Sequence, residues 1–241
     1  MKGTTYTVQG FGITRVMDFI FMLTRNDRTV EDALDLLTLI HPLGLRHIGF
    51  KDVGVSPGVL EKVAATITEV GAVSYMEVVS TSPETCLASA KLGRELGVDR
   101  LLGGTQLDEI MTLLDGSETE YYPFPGRPVG HPTKLEGTAD EVEAHCRTFA
   151  ARGCAGCDIL AYRATEANPL ELIRAARKGL GADKRLIVAG AVASFDQIRA
   201  IKEAGADAFT IGTAVFDGSY SPSKGSILSQ LSDVVADCAR A

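Results

Sequence analysis

Two charged side chains stand inside runs that are otherwise apolar. Lys51 closes the run His47-Ile-Gly-Phe-Lys51-Asp52, and Glu77 lies within Ser74-Tyr-Met-Glu77-Val-Val. A charge in such surroundings is costly unless it is paired, and a lysine on one strand is a natural partner for a glutamate on the next. A Lys–Glu pair of this kind has shifted, coupled proton affinities, which general acid–base catalysis requires. Glu77 then reads as a proton-transfer base. Lys51 reads as the group that polarises a carbonyl or stabilises an enediolate, with Asp52 orienting it. Lys51 also suits an imine with a ketone substrate. The plain alternative is a structural ion pair.

Other polar groups follow the apolar runs. Thr24-Arg25-Asn26-Asp27 and Tyr162-Arg163 carry guanidinium groups whose fork matches a carboxylate or a phosphate. Arg25 reads equally well as a solvated loop residue. Asp27 reads as a cap for the first helix. Gly103-Gly104-Thr105 has the shape of an anion-binding turn, centred on Gly104. His131 lies in a long Gly/Pro-rich loop, Pro123-Phe-Pro-Gly-Arg-Pro-Val-Gly-His131-Pro-Thr-Lys134, that suits a lid or binding wall. It reads as a general acid or base, or as a plain surface histidine. Cys154 and Cys157 fit a CxxC spacing, but no second Cys or His pair accompanies them, so a reduced structural pair is expected.

The elements that must position these groups alternate. Short apolar runs near 18–24, 47–52, 73–79, 99–104, 120–124, 157–163, 185–191 and 207–212 read as strands buried on both faces. Helical periodicity follows near 29–41, 57–71, 83–97, 107–114, 139–153, 169–180, 195–205 and 225–238. Thr138 with Glu141 and Ser194 with Gln197 form capping-box patterns, and Ser56-Pro57 and Ser82-Pro83 place a cap before a first-turn proline. Gly-x-Asp recurs at Gly97, Gly156 and Gly205, where each glycine suits a left-handed helix end and each aspartate a strand start. Asp158 is therefore expected at the bottom of the fold in a structural role. Strand–helix units at this length are the arithmetic of an α/β (β/α)8 TIM barrel, with an open doubly wound sheet as the rival. One domain over 1–241 is expected, with 1–17 as an N-terminal lead-in. The endings ELGVDRLLGGT and EAGADAFTIGT echo each other across half the chain, a hint of two related halves.

A barrel carries its site at the C-terminal ends of its strands, and phosphate frequently sits on the loops after strands seven and eight. Backbone N–H groups near Gly190–Ala193 and Gly212–Thr213 are placed to converge on a dianion. The segment VAGAVASFDQIRAIKEAGADAFTIGTAVFDG resembles the C-terminal quarter of ribulose-phosphate-binding barrels, among them the histidine-biosynthesis HisA/HisF-type barrels, pentose-phosphate epimerases and ketogulonate-phosphate decarboxylases. The resemblance is sharp over residues 185–218. It implies a phosphate held by Gly190, Ala191, Gly212 and Thr213, with Ala191 standing where members often have a second glycine. It does not fix the reaction. Strand five, Tyr121-Tyr-Pro-Phe-Pro, lacks the aspartate of the HisA type, and strand three has Tyr-Met-Glu where decarboxylase members have Asp-x-Lys.

The net charge of −7 and the lack of a basic run exclude a nucleic-acid scaffold, and no apolar run is long enough to span a membrane. Five cysteines, an odd count, and a start without an apolar leader suggest a reducing, cytoplasmic setting. No cluster of spaced histidines and carboxylates is evident, so neither a metal nor another cofactor is expected. The expected partner is a phosphorylated small molecule, and a homo-oligomer is left open. The expected activity is isomerisation or epimerisation of a phosphorylated sugar or sugar acid. The alternatives are an aldolase, synthase or decarboxylase using Lys51, and a non-catalytic phospho-ligand barrel. Lys51, Arg25 and Arg163 should gather at one end of the barrel.

Overall fold

The computed structural model describes residues 17–80 and 82–241, so the lead-in expected over 1–17 lies, but for Met17, outside the described residues. In chain order the strands are β1 (Asp18–Met22), β2 (Thr24–Arg25), β3 (Arg28–Thr29), β4 (His47–Lys51), β5 (Val73–Val78) and β6 (Arg100–Gly103). They continue with β7 (Glu120–Tyr122), β8 (Arg127–Val129), β9 (Lys134–Glu136), β10 (Gly156–Ile159), β11 (Arg185–Val188) and β12 (Ala208–Ile211). The helices are α1 (Ala33–Ile40), α2 (Pro57–Glu69), α3 (Pro83–Glu95), α4 (Leu107–Leu114), α5 (Ala139–Ala151), α6 (Pro169–Leu180), α7 (Phe195–Glu203), α8 (Thr213–Phe216) and α9 (Ile227–Arg240).

Eight strands form one parallel sheet in the order β10-β11-β12-β1-β4-β5-β6-β7. Its two ends meet, because Ala155 N–H donates to Tyr121 O and Asp158 N–H to Pro123 O, each at 3.1 Å. The sheet is a closed barrel with helices between its strands, the expected (β/α)8 fold. The remaining strands make two antiparallel hairpins, β2–β3 and β8–β9, at the C-terminal ends of the first and fifth barrel strands. The apolar period did not show them, since both are short and polar.

Alternation along each strand splits the core in two. One face packs on the helices, with Phe21, Ile48, Phe50, Met76, Leu101 and Phe209 among its members. The other fills the lumen with Ile20, Met22, Tyr75, Leu102, Tyr122, Ile187 and Ala208. Thr138 and Glu141 make the expected capping box on α5, and Ser82 and Ser194 accept the N–H groups of Thr85 and Gln197. Ser56 sits at the N-cap of α2 without a side-chain bond, leaving Pro57 to set the first turn. Gln197 differs from its expectation: its Oε1 takes the N–H of Ala193 at 2.8 Å, one residue before the cap.

The echo between the two halves is not matched in backbone conformation. Gly103 and Gly104 are both left-handed (φ 77° and 73°), whereas Gly212 is not (φ −128°, ψ −84°). The pair that shares their conformation is Gly190 and Ala191 at the end of β11 (φ 76° and 59°).

Candidate active site

The hairpin that follows β1 does most to shape the mouth of the barrel. Asn26 and Asp27 both adopt left-handed backbone (φ 51° and 60°) between β2 and β3, the geometry a two-residue hairpin turn requires. Thr29 pins the hairpin to β4: its hydroxyl donates to Lys51 O and accepts from Lys51 N–H, both at 2.8 Å. The chain after β4 approaches closely too, for a Cβ at Gly54 would fall 2.2 Å from Thr29 O. This anchoring turns Asp27 inward, where it is 3% exposed.

Asp27 is the hub of a buried network and not a helix cap; α1 starts later, after Asp32. Lys51 Nζ donates to Asp27 Oδ1 at 2.9 Å and to Glu77 Oε1 at 2.8 Å. Arg163 grips Asp27 with two parallel bonds, Nη1 to Oδ2 at 2.7 Å and Nη2 to Oδ1 at 2.8 Å. Thr133, from the loop after β7, adds its backbone N–H to Asp27 Oδ2 at 3.1 Å, and its carbonyl accepts from Arg163 Nη1 at 3.2 Å. Lys51 and Glu77 are each 4% exposed. Burial opposes the charge on Lys51, but the charges of Glu77 and Asp27 outweigh it and raise the lysine pKa above its ordinary value. Burial likewise works against the Asp27 carboxylate. The Arg163 hydrogen bonds and the charges of Lys51 and Arg163 prevail and hold it well below the usual carboxylate range.

This network forms the floor of a cleft of about 390 Å³. The facing wall is made of Gly190–Ala193 and Gly212–Ala214, and Pro132, Leu160 and Thr210 also reach it. The two glycines are held by close approach. A Cβ at Gly190 would lie 2.5 Å from Arg163 Nε, so the guanidinium runs across that glycine. A Cβ at Gly212 would lie 2.7 Å from Thr24 O. Ala191 takes the left-handed conformation without being glycine, a local strain of the kind that gathers at functional sites. Gln197 braces the turn, for its Nε2 donates to Ala191 O at 3.3 Å.

Lys51, Glu77, Arg163, Gly190, Ala191, Gly212 and Thr213 thus meet in one cleft. Arg163 gets there from a 3-10 turn at Ala161–Arg163, since β10 ends at Ile159, before the expected strand end. Four other expected site residues stand elsewhere. Asp52 faces the α3 side, accepting Val79 N–H at 3.1 Å and the Ser89 hydroxyl, so Asp27 takes the place assigned to it beside Lys51. Arg25 is exposed on the hairpin, near enough to the cleft-lining Asp217 for its charge to act on it, and is not itself part of the cleft wall. Gly104 is buried beneath Ile110, Cys86 and Tyr121, with no opening to the cleft. His131 is exposed, and its loop reaches the site through Pro132 and Thr133 instead. Lys51, Arg163 and Arg25 do lie at one pole, but Asp27, Glu77 and Asp217 line the cleft with the first two, so its lining is not positive.

Asp158 also departs from its expected place. It lies mid-strand in β10, is 0% exposed, and has neither carboxyl oxygen hydrogen-bonded. The Cys154 and Cys157 thiols do not form a site together: Cys154 lies 3.7 Å from Met111 and Cys157 3.7 Å from Cys146. Among the described residues no group of three or more His, Cys, Asp or Glu is placed to hold a metal ion, and no helix is long and apolar enough to cross a membrane.

Solved structures share the architecture, which defines the class as a (β/α)8 barrel fold. Orotidine 5'-phosphate decarboxylase from Pyrococcus horikoshii OT3 superposes with a TM-score of 0.62 at 12% identity, covering 91% of this chain and 98% of that one. A native KDPGal structure matches with a TM-score of 0.58 at 14% identity, over 98% and 100% of the two chains. Orotidine 5'-monophosphate decarboxylase from Sulfolobus solfataricus gives 0.59 at 13% identity, over 92% and 99%. At these identities the likeness is one of fold. No family model and no curated protein sequence matches the chain.

Proposed function

We propose that this protein is a phosphate-anchored barrel enzyme that breaks a bond next to the carbonyl of a small phosphorylated sugar or sugar acid. The observation that carries the reading is the Lys51 ammonium, fixed between Asp27 and Glu77 on the floor of a cleft whose far wall is the Gly190 and Gly212 turns. The substrate phosphate takes the backbone N–H groups around Gly190–Ala191 and Gly212–Thr213. Because the cleft has no surplus of positive side chains, these N–H groups and Arg163 must meet the dianion. The carbonyl oxygen turns toward Lys51, which donates a hydrogen bond as negative charge develops there. Glu77 takes the proton from the adjacent carbon, leaving an enediolate that can be reprotonated at either centre. Asp27 keeps Lys51 protonated and aims Arg163. Anchoring the phosphate holds the reacting carbon against Glu77. The favoured class is isomerase or epimerase.

A second reading, a lyase that breaks a C–C bond to the same kind of carbanion, is supported by the fold likeness to decarboxylases and to the KDPGal protein. Within it an electrostatic role for Lys51 fits better than an imine, because two carboxylates keep the amine protonated.

A thermal-shift screen against phosphorylated sugars and sugar acids, each beside its unphosphorylated counterpart, tests the anchor. At least one phosphorylated compound is expected to raise Tm while its counterpart does not. A screen in which no phosphate compound stabilises the protein removes the reading.

A further inference from the structure

Asp158 is a buried carboxyl for which the chemistry above has no use, and its surroundings give it one. Its neighbour Cys157 faces the helices, against Cys146 of α5. Alternation therefore turns Asp158 into the lumen. Its height follows from the glycines that end the preceding helices. Gly97, Gly153 and Gly205 are all left-handed (φ 65°, 88° and 102°) and close α3, α5 and α7. Counting from them, Ala155 holds the place of Asp99 and Asp207, and Asp158 the place of Leu102 and Thr210. Leu102 belongs to the lumen core and Thr210 shows at the cleft floor, so Asp158 stands in the layer on which the cleft rests.

An ionised carboxylate there, with no donor on either oxygen, would be an uncompensated buried charge. Burial pushes its pKa well above the usual carboxylate range. The negative charge of Glu77 pushes it further, while Lys51 and Arg163 pull the other way. The adjacent barrel strands add no charge at its level, presenting Tyr122 from β7 and Ile187 from β11.

We propose that Asp158 is stored as a neutral carboxylic acid, its proton held in place by the Glu77 charge across the lumen. This rests on the reading of Lys51 and Glu77 as the reacting pair. Asp158 is a positioning residue that acts through Glu77. While it is neutral, Lys51 and Arg163 are balanced by Asp27 and Glu77. Ionising it leaves one negative charge in excess and ties Lys51 more tightly to its carboxylates. Without the Glu77 charge the proton is held less firmly and Asp158 ionises more readily.

Infrared spectra across pH test this by following the C=O stretch of a protonated carboxylic acid, with Asp158→Asn as the subtraction. The band is expected in the wild type at neutral pH and absent from Asp158→Asn. In Glu77→Gln its midpoint is expected to fall by about one pH unit or more, a tenfold loss of proton affinity. A folded wild type without the band at neutral pH, or a midpoint that Glu77→Gln leaves in place, overturns the proposal. If Asp158→Asn does not fold, subtracting the high-pH from the neutral-pH spectrum in wild type and Glu77→Gln gives the same midpoints. Full turnover by Lys51→Met is a separate failure: it would remove the catalytic reading of the pair and leave the infrared result standing.

Discussion

At the N-terminal pole of the lumen, Asp18 accepts from Arg185 at 2.5 Å and lies 3.4 Å from His47 Nε2. His47 Nδ1 is 3.1 Å from the Tyr75 hydroxyl, which also accepts from Arg100. Glu120 takes Arg100 Nε at 2.9 Å and the Tyr122 hydroxyl at 2.6 Å, and the Arg100 guanidinium lies 5.2 Å from the Tyr75 ring centre. At the C-terminal pole the same kinds of groups, two cations and two carboxylates, are joined as tightly around Asp27. The lower network is packed among aromatic rings that fill the lumen. The upper one opens on a cleft, faces two turns where a side chain would collide, and rests on an unpartnered carboxyl. Buried ion pairs by themselves do not mark a site, since both poles have them. What separates the poles is the larger void, about 390 Å³ against about 210 Å³ beside Asp18 and His47, with the strained turns at Asn26–Asp27 and Ala191 and the orphaned Asp158.

The sharpest way to break this contrast is to remove one carboxylate from each pole. Asp27→Asn leaves Lys51 and Arg163 short of their shared partner, and a loss of about 3–5 kcal/mol is expected in urea unfolding. Phospho-ligand stabilisation should vanish with it. Asp18→Asn, at a partly exposed position, should cost only about 1–3 kcal/mol and leave the ligand response intact. Equal effects on ligand binding would dissolve the distinction.

Next in size is Gly190→Ala, whose Cβ would displace Arg163. Binding of a phosphorylated ligand, read by calorimetry, should weaken about tenfold, or about 1.4 kcal/mol. The third contrast is one of sign. Asp18 and Asp27 have depressed pKa values, Asp18 because the His47 and Arg185 hydrogen bonds outweigh its burial. Their stabilisation is present above the usual carboxylate range and fades as pH falls below it. Asp158, with a raised pKa, behaves oppositely: its contribution is full at low pH and fades as pH rises toward that raised value. Melting curves of Asp158→Asn should gain on the wild type as pH increases from about 4, the ordinary aspartate value, whereas Asp27→Asn should lose least at low pH. The smallest effect is expected from Ala191→Gly, which relieves left-handed strain and should add about 1 kcal/mol to stability.

The barrel and half of its site were legible because they follow simple periods. Lys51 and Glu77 interrupt apolar strands, and Gly190 and Gly212 end them, so position in a strand located them. Asp27 was missed because its hairpin has no apolar face. The adjacent Asn26 and Asp27 between polar pairs were the available turn signal. Asp158 was missed because Gly156 looked like a helix end. Gly156 is instead a strand residue, its Cα pressed so close to β11 that a Cβ would strike Arg185 O at 1.7 Å. Gly153 is the true helix end. Asp52 misled because it neighbours Lys51 in sequence, while strand alternation sends the two side chains to opposite faces.

Hydrogen–deuterium exchange in D2O, followed by proton NMR on the phosphorylated compounds that stabilise the protein, tests the proposed chemistry most directly. Deuterium should enter the carbon next to the carbonyl with wild-type protein and fail to enter with Glu77→Gln, and borohydride should leave no adduct on Lys51. A bound keto-phosphate that exchanges no proton and is trapped on Lys51 by borohydride would contradict it.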